Sequence, residues 1–228
     1  MHWENDKELF SLMRTELYTA VVGDIMDKMK LLHQFLPARI SPLAPNMVVA
    51  GRAMPVLEAD TFGEDCGNHN SFVKKTFGLM LEALDDLKEN EVYICTGSSP
   101  SYALFGELMA MRASHLKAAG AVVDGYSRDT KGILSIDFPM FSHGSYAKDQ
   151  APRGKVMDYR VPIEIEGVRI NPGDVVFGDL EGVLIVPQAH EKEVFTRAYE
   201  KATGEKTVAQ AIQSGLSAKE SFAKYGIM

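Results

Sequence analysis

Two short apolar runs constrain this chain most, each preceded by an amphipathic helical pattern and followed by a polar loop holding a glycine. The first is VYIC at residues 92–95, within ENEVYICTG; the second is AVV at residues 121–123, within AVVDG. The stretch GELMAMRASHLKAAG between them has helical spacing, and FPMFS at residues 138–142 reads as a further strand. Helix, strand and loop therefore alternate, the mark of parallel βαβ units with right-handed connections. In such folds ligands lie beyond the carboxyl ends of the strands. Two loops leave from those ends, TGSSPSYALFGEL and GYSRDTKG.

The flanking segments read differently. KELFSLMRTEL puts Leu9, Phe10, Met13 and Leu17 on one helical face, and Thr19 is expected to cap a second helix, AVVGDIMDKM. The valine-rich MVVAGRAMPVLEA predicts one or two strands around Gly51. Asn70 or Ser71 is the expected cap of a helix bearing Phe77, Met80, Leu81 and Leu84, and Gly120 the expected C-cap of the helix before AVVDG. After residue 155, alternating apolar positions broken by EG, PGD and LEG predict a second, antiparallel sheet. The tail predicts a long helix interrupted at Gly204. A last helix follows, with a capping box from Ser217 to Glu220 and a stop at Gly226. No repeat, low-complexity tract or linker divides the sequence, so residues 1–228 read as a single domain.

Composition narrows the function. Apolar residues make up 46% and charged residues 24%, as in ordinary globular chains. A formal charge of −7 argues against nucleic acid as the main partner. No apolar run reaches the roughly 18 residues that a membrane span needs. The start MHWENDKELF lacks the pattern of a secretory signal. Cys66 and Cys95 have no paired metal-ligand spacing, so free thiols in a reducing cytoplasm are expected.

The chemistry concentrates at the two loops. Glu107 opens a helix directly after Gly106, while Arg128 and Asp129 stand just past the next strand. Helix starts and strand carboxyl ends share one edge in a βαβ unit, so the three side chains are expected to converge. Two carboxylates at an open edge suit Mg²⁺, which keeps waters and leaves room for substrate oxygens. Arg128 offers a planar fork for a carboxylate or an enolate oxygen, and the backbone amides of the helix start offer an anion site. Together they describe a pocket for a 2-oxo acid. The competing reading is a solvated ion pair beside a helix dipole.

Other candidates are weaker. His115 reads as structural, and His69 as a helix cap or pocket residue. His143, Lys148 and Arg153 could bind a distal substrate carboxylate or form only a polar loop, and Ser98, Ser99 and Ser101 lie near the edge. No Gly-x-Ser-x-Gly elbow, Walker loop or dinucleotide fingerprint occurs. Lys117 and Lys131 lack the desolvated setting a Schiff base needs.

The segments TAVVGDIMDKM, FGELMAMRASHLKAAGAVVDGYSRDTKGI, FPMF, NPGDVVFGDLEGVLIVP and GEKTVAQAIQSGLSAKESFAKYGIM resemble, in order, the class II metal-dependent pyruvate aldolases. Members of that family cleave 4-hydroxy-4-methyl-2-oxoglutarate and 4-carboxy-4-hydroxy-2-oxoadipate, and it also holds the regulator of ribonuclease activity A. The resemblance implies an α/β fold: a layered β/β/α sandwich similar to the swivelling phosphohistidine domain, with flanking N- and C-terminal helices. It implies homotrimers or homohexamers and a Mg²⁺ or Mn²⁺ cofactor. Asp129 matches the metal ligand, and Arg128 the arginine that contacts pyruvate. The backbone of Gly106, Glu107, Leu108 and Met109 matches the loop that holds the pyruvate carboxylate. Glu107 stands where the aldolases carry an aspartate organising the metal waters, and binds the metal directly or through water. Glu205 matches a glutamate that reaches a neighbouring subunit's site. The implied activity is retro-aldol cleavage of a 2-oxo acid to pyruvate, with oxaloacetate decarboxylation. The alternatives are a sugar-acid dehydratase using the same enolate chemistry, or a non-catalytic regulator binding a protein partner.

Overall fold

Two helices open the chain, α1 (Asp6–Glu16) and α2 (Thr19–Lys28), followed by an edge strand β1 (Ser41–Pro42) and a long strand β2 (Val49–Asp60). Three helix–strand units come next: α3 (Met80–Asp85) with β3 (Glu91–Thr96), α4 (Glu107–His115) with β5 (Gly120–Val123), and α5 (Thr130–Ser135) with β7 (Met140–Ser142). Short strands β4 (Ala103–Phe105) and β6 (Tyr126–Ser127) lie in the intervening loops. Strand β8 (Gly154–Tyr159) precedes a hairpin of β9 (Ile163–Ile165) and β10 (Val168–Ile170). The pair β11 (Val175–Asp179) and β12 (Gly182–Val186) leads to the closing helices α6 (Glu191–Gln213) and α7 (Ala218–Tyr225). This computed structural model describes residues 3–61 and 74–226; Cys66, His69 and the expected cap at Asn70 or Ser71 lie outside the described residues.

The parallel core follows the periodicity. Strands β2, β3, β5 and β7 pair in parallel in that order, and β1 closes the far edge antiparallel. The near edge of β2 serves two partners in succession. Its first half pairs with β11 and its second half with β8, with a register shift between Leu57 and Glu58. Such a bulge lets one long strand bend out of one pairing plane and into another.

Alternation along the strands builds three layers. Met54, Val56, Tyr93, Cys95, Val123 and Met140 pack under α3, α4 and α5. Their neighbours Ala53, Val92, Ile94, Val122 and Phe141 point the other way, onto Ile163, Ile165, Val168 and Ile170 of the hairpin. On β11 and β12, Val175, Phe177, Leu184 and Val186 turn to a third cluster with α1, α2 and α6. The result is the expected α/β sandwich of two β layers and one α layer, flanked by N- and C-terminal helices. Burying each of the valine, leucine, isoleucine, phenylalanine and methionine side chains among these contributes about 1.5–3 kcal/mol, so the sheet is held from both faces.

Four local expectations are corrected. The N-cap of α2 is Tyr18, not Thr19; the Thr19 hydroxyl instead donates to Asp179 Oδ1 at 2.7 Å. Helix α4 ends at Leu116, and Gly120 opens β5 with φ +153° because a Cβ there would sit 2.7 Å from the Pro139 carbonyl oxygen. Helix α6 runs unbroken through Gly204, with Ala202 packed in the cluster that includes α1 and α2 and Val208 buried on the other side of that position. The segment after residue 155 forms no separate sheet apart from the β9–β10 hairpin; β8, β11 and β12 join the main sheet through β2. The capping box at Ser217 and the left-handed stop at Gly226 are present as expected.

Candidate functional site

Local pairing brings the two loops together. Beyond β3 and β5 the chain forms β4 and β6, which pair in parallel, Ala103 with Tyr126 and Phe105 with Ser127. The Arg128 amide then donates to the Phe105 carbonyl at 2.9 Å. Gly106 is thereby pressed against the Arg-Asp pair: a Cβ there would lie 2.9 Å from Asp129 Oδ2 and 3.3 Å from Arg128 Cγ. Asp129 adopts a left-handed conformation, φ +55°, which aspartate tolerates better than most residues. Its carbonyl accepts from Gly132 at 2.9 Å and Ile133 at 3.2 Å, starting α5.

The α4 start is unfilled. Gly106 is extended and supplies no side-chain cap, and the first helical bond runs from Ala110 to Gly106 at 3.0 Å. The amides of Glu107, Leu108 and Met109 therefore point out of the helix at its positive end. Arg128 lines one cleft with Leu108 and Met109; its Nε lies 3.2 Å from Asp129 Oδ2 and its Nη1 lies 2.7 Å from Asp149 Oδ1. That cleft, of about 200 Å³, is bounded by Gly106, Leu108, Met109, Arg128 and Asp129, with Asp149 and Gln150 opposite.

Glu107 occupies the adjoining space. Its carboxylate rests on the backbone of α5, where a Cβ at Gly132 would come within 2.0 Å of Glu107 Cδ. A second depression, about 500 Å³, is lined by Glu107, Asp129, Thr130, Lys131, Gly132 and Ser135. Asp129 thus borders both spaces, Arg128 only the first and Glu107 only the second. Among the described residues no cluster of three or more His, Cys, Asp or Glu side chains has metal-holding geometry.

The remaining candidates lie elsewhere. Glu205, on α6, bonds the Tyr18 hydroxyl and pairs with Lys201 at 3.0 Å, among the terminal helices, and burial pushes its carboxyl up. His143 Nε2 lies 3.0 Å from Asp124 Oδ1, which also meets Arg39 at 3.1 Å. Neither His143, Lys148 nor Arg153 lines the cleft; Arg153 Nη1 donates to the Asp149 carbonyl at 3.0 Å. Ser99 and Ser101 bond each other at 2.9 Å, Lys117 pairs with Glu89 at 3.6 Å, and His115 is exposed on α4.

Sequence reasoning missed Gly132, Asp149, Gln150 and Glu58. Glu58 is only 2% exposed and accepts from Gln150 Nε2 at 2.6 Å. Burial pushes its carboxyl up to about 8, opposed by the Gln150 bond and helped by nearby Asp60. A glycine inside the helical stretch DTKGILS was the available signal for Gly132, since glycine there weakens a helix unless space demands it. Asp149 and Gln150 sit in an irregular loop and gave no periodic signal.

Comparison with known proteins gives the site a family. A family model described as aldolase/RraA, of the RraA-like type, matches residues 19–185. A protein of Halalkalibacterium halodurans provisionally named 4-hydroxy-4-methyl-2-oxoglutarate aldolase is 27% identical over 201 residues, covering 88% of this chain and 87% of that one. Protein DlpA of Legionella pneumophila is 27% identical over 188 residues, 82% of this chain, which spans only 29% of that protein's length. The fold is similar to that of Streptomyces coelicolor RraAS2, described as an unusual member of the RNase ES inhibitor RraA family. The TM-score is 0.74 at 20% identity, over 90% of this chain and 98% of that one. With most of its length matched by that model and the layered fold in place, this chain belongs to the aldolase/RraA family.

Proposed function

We propose that the protein is a divalent-metal-dependent lyase that cleaves a 2-oxo acid to pyruvate by retro-aldol chemistry. The observation that carries this reading is the meeting of Arg128, Asp129 and the unfilled α4 start at one cleft. A regulator acting through its outer surface needs no such convergence.

The donor set fits a hard cation. Asp129 and Glu107 border one depression, and glycines at 106 and 132 leave the backbone space into which both carboxylates project. Two carboxylates with open positions are what Mg²⁺ or Mn²⁺ accepts while keeping waters. Asp129 and Glu107 would hold it, Glu107 directly or through water, and when bound it supplies Lewis-acid charge for the oxo-acid oxygens.

The chain's own groups do the rest. The amides of Glu107, Leu108 and Met109 receive the substrate carboxylate. Arg128 exchanges its Asp149 partner for the C2 oxygen, where negative charge develops. A water steadied by Glu107 takes the proton of the C4 hydroxyl. The C3–C4 bond then breaks, C4 becomes a carbonyl, and the electron pair becomes the pyruvate enolate, which is protonated at C3. Oxaloacetate would lose CO₂ through the same enolate. Leu108 in the cleft lining, Met111 on α4 and Leu134 on α5 are exposed, at 79%, 45% and 37%, and these apolar side chains suit contact with further copies in a trimer or hexamer.

The test is exchange of the pyruvate methyl protons in D₂O with Mg²⁺, followed by NMR, alongside oxaloacetate decarboxylation. Both activities should appear, vanish with EDTA, and fall at least about a hundredfold in Arg128→Ala and Asp129→Ala. Absence of both leaves a non-catalytic protein on this fold.

A further inference from the structure

Glu58 is a buried carboxyl that the steps above do not use, and it stands one hydrogen bond behind the cleft. It lies on β2 at the register shift of the β8 pairing, between Leu57 and Glu58. Shifts of this kind re-aim side chains beside working sites. Glu58 is 2% exposed and accepts from Gln150 Nε2 at 2.6 Å. Gln150 is itself 4% exposed and lines the cleft together with Asp149, whose carboxylate meets Arg128 at 2.7 Å.

The surroundings are shaped to this contact. Gly154 opens β8 against the carboxyl: a Cβ there would strike the Tyr102 hydroxyl and lie 2.7 Å from Glu58 Oε1. That hydroxyl donates to Asp60 Oδ1 at 2.8 Å, so it serves the neighbouring carboxylate. The Gln150 carbonyl accepts from the Gly154 amide at 2.9 Å, and the Lys148 carbonyl from the Ala103 amide at 2.8 Å. The main chain thus fastens residues 148–150 to β4 and β8, and the Glu58 bond fixes the side chain that bridges core and cleft. Enclosing a carboxyl costs far more than enclosing a leucine of similar size, so packing alone does not account for glutamate at 58.

We infer that Glu58 is a positioning residue for the cleft: through Gln150 it fixes the cleft wall and the turn that sets Asp149 opposite Arg128. This rests on the lyase reading above. The titratable groups around it are Asp60 on the same strand, Tyr102 ahead of β4, Tyr93 and Cys95 on β3, and Lys155 on β8, whose ammonium donates to the Lys75 carbonyl at 2.8 Å. Burial raises the Glu58 carboxyl to about 8, against the Gln150 bond and with the help of the Asp60 charge. Un-ionised, it accepts from Gln150 and adds no charge to a site that must hold a substrate carboxylate and a developing enolate. Ionised, it would set a buried negative charge behind the wall, opposed to both.

The experiment uses the full chain with Mg²⁺ as wild type, Glu58→Leu, Glu58→Gln, Gln150→Met, and the double variant of Glu58→Leu with Gln150→Met. Pyruvate proton exchange is followed by NMR, and the Gln150 side-chain amide by its ¹H–¹⁵N signals, identified by their loss in Gln150→Met. At neutral pH exchange should fall about tenfold or more in Glu58→Leu and return in Glu58→Gln, whose amide oxygen still accepts from Gln150. The double variant should lose no more than Gln150→Met alone, because Glu58 acts through Gln150. Wild-type exchange should decline as pH rises past about 8, and Glu58→Gln should lack that decline. The Gln150 signals should shift over the same window in wild type and move to free-amide positions in Glu58→Leu. Full exchange in Glu58→Leu, additive losses in the double variant, or matching pH profiles for wild type and Glu58→Gln overturn the inference. If Glu58→Leu does not fold, those two pH profiles decide. If wild type shows no exchange, the lyase reading fails, and the Gln150 signals decide: unmoved by pH in wild type, they overturn the inference as well.

Discussion

Arg128 and Glu58 show how single residues are set by their surroundings. Arg128 stands at a strand end as a half-buried cation, its fork shared by Asp129 and Asp149. Glu58 is the reverse: a carboxyl enclosed by β2, β8 and Gln150, whose neutral form is favoured up to about pH 8. An acid whose pKa is raised on folding binds more protons folded than unfolded between the two values. Its contribution is complete at pH 4 and is lost as pH rises toward 8. Urea unfolding should therefore show wild-type stability falling over that window relative to Glu58→Gln, by on the order of 3–5 kcal/mol. Parallel pH profiles for the two proteins would mean that Glu58 is ionised in the fold.

Helix α5 shows what an element contributes. It is one and a half turns long, opened by left-handed Asp129, and it carries Gly132 where Glu107 of α4 lies across it. The contact joins two helices that the sequence places on either side of β5. In Gly132→Ala the new methyl meets only the flexible end of Glu107, so the fold should tolerate it. Helix propensity would add up to about 1 kcal/mol of stability. The displaced carboxylate should nevertheless lower pyruvate proton exchange about tenfold to a hundredfold. Full exchange activity in a well-folded Gly132→Ala protein would remove Glu107 from the site. Periodicity located α4 and the strands but not this crossing, because a contact between two helices on either side of a strand leaves no pattern in either one.

At the scale of the whole molecule, Arg52 fastens the terminal helices to the sheet. From β2 it reaches Asp6 of α1, Glu191 of α6 and the Gly173 carbonyl, and its guanidinium lies 5.7 Å from the Phe10 ring. The bonds to Asp6 and Glu191 outweigh the opposing effect of partial burial and hold its proton more firmly than usual. Arg52→Ala should cost roughly 2–4 kcal/mol in urea unfolding, because it leaves partly buried carboxylates without their partner. Amide exchange should quicken first in α1 and α6 while the strands under α4 stay protected. Uniform loss of protection would show that the helices and the sheet unfold as one unit.

The sequence by itself determined the parallel units, the terminal helices, the capping box at Ser217 and the strand-end placement of Arg128 and Asp129. Each rests on spacing of 2 or 3.6 residues, or on a side chain bonding its own backbone. Only the tertiary structure decided that β2 carries two partners along one edge, that Glu107 sits beside the cleft on Gly132, and that Asp149 and Gln150 face Arg128. Those outcomes depend on which surfaces meet after the chain has folded back on itself, and residues 21 to 92 positions apart in sequence share no local constraint that could announce their meeting.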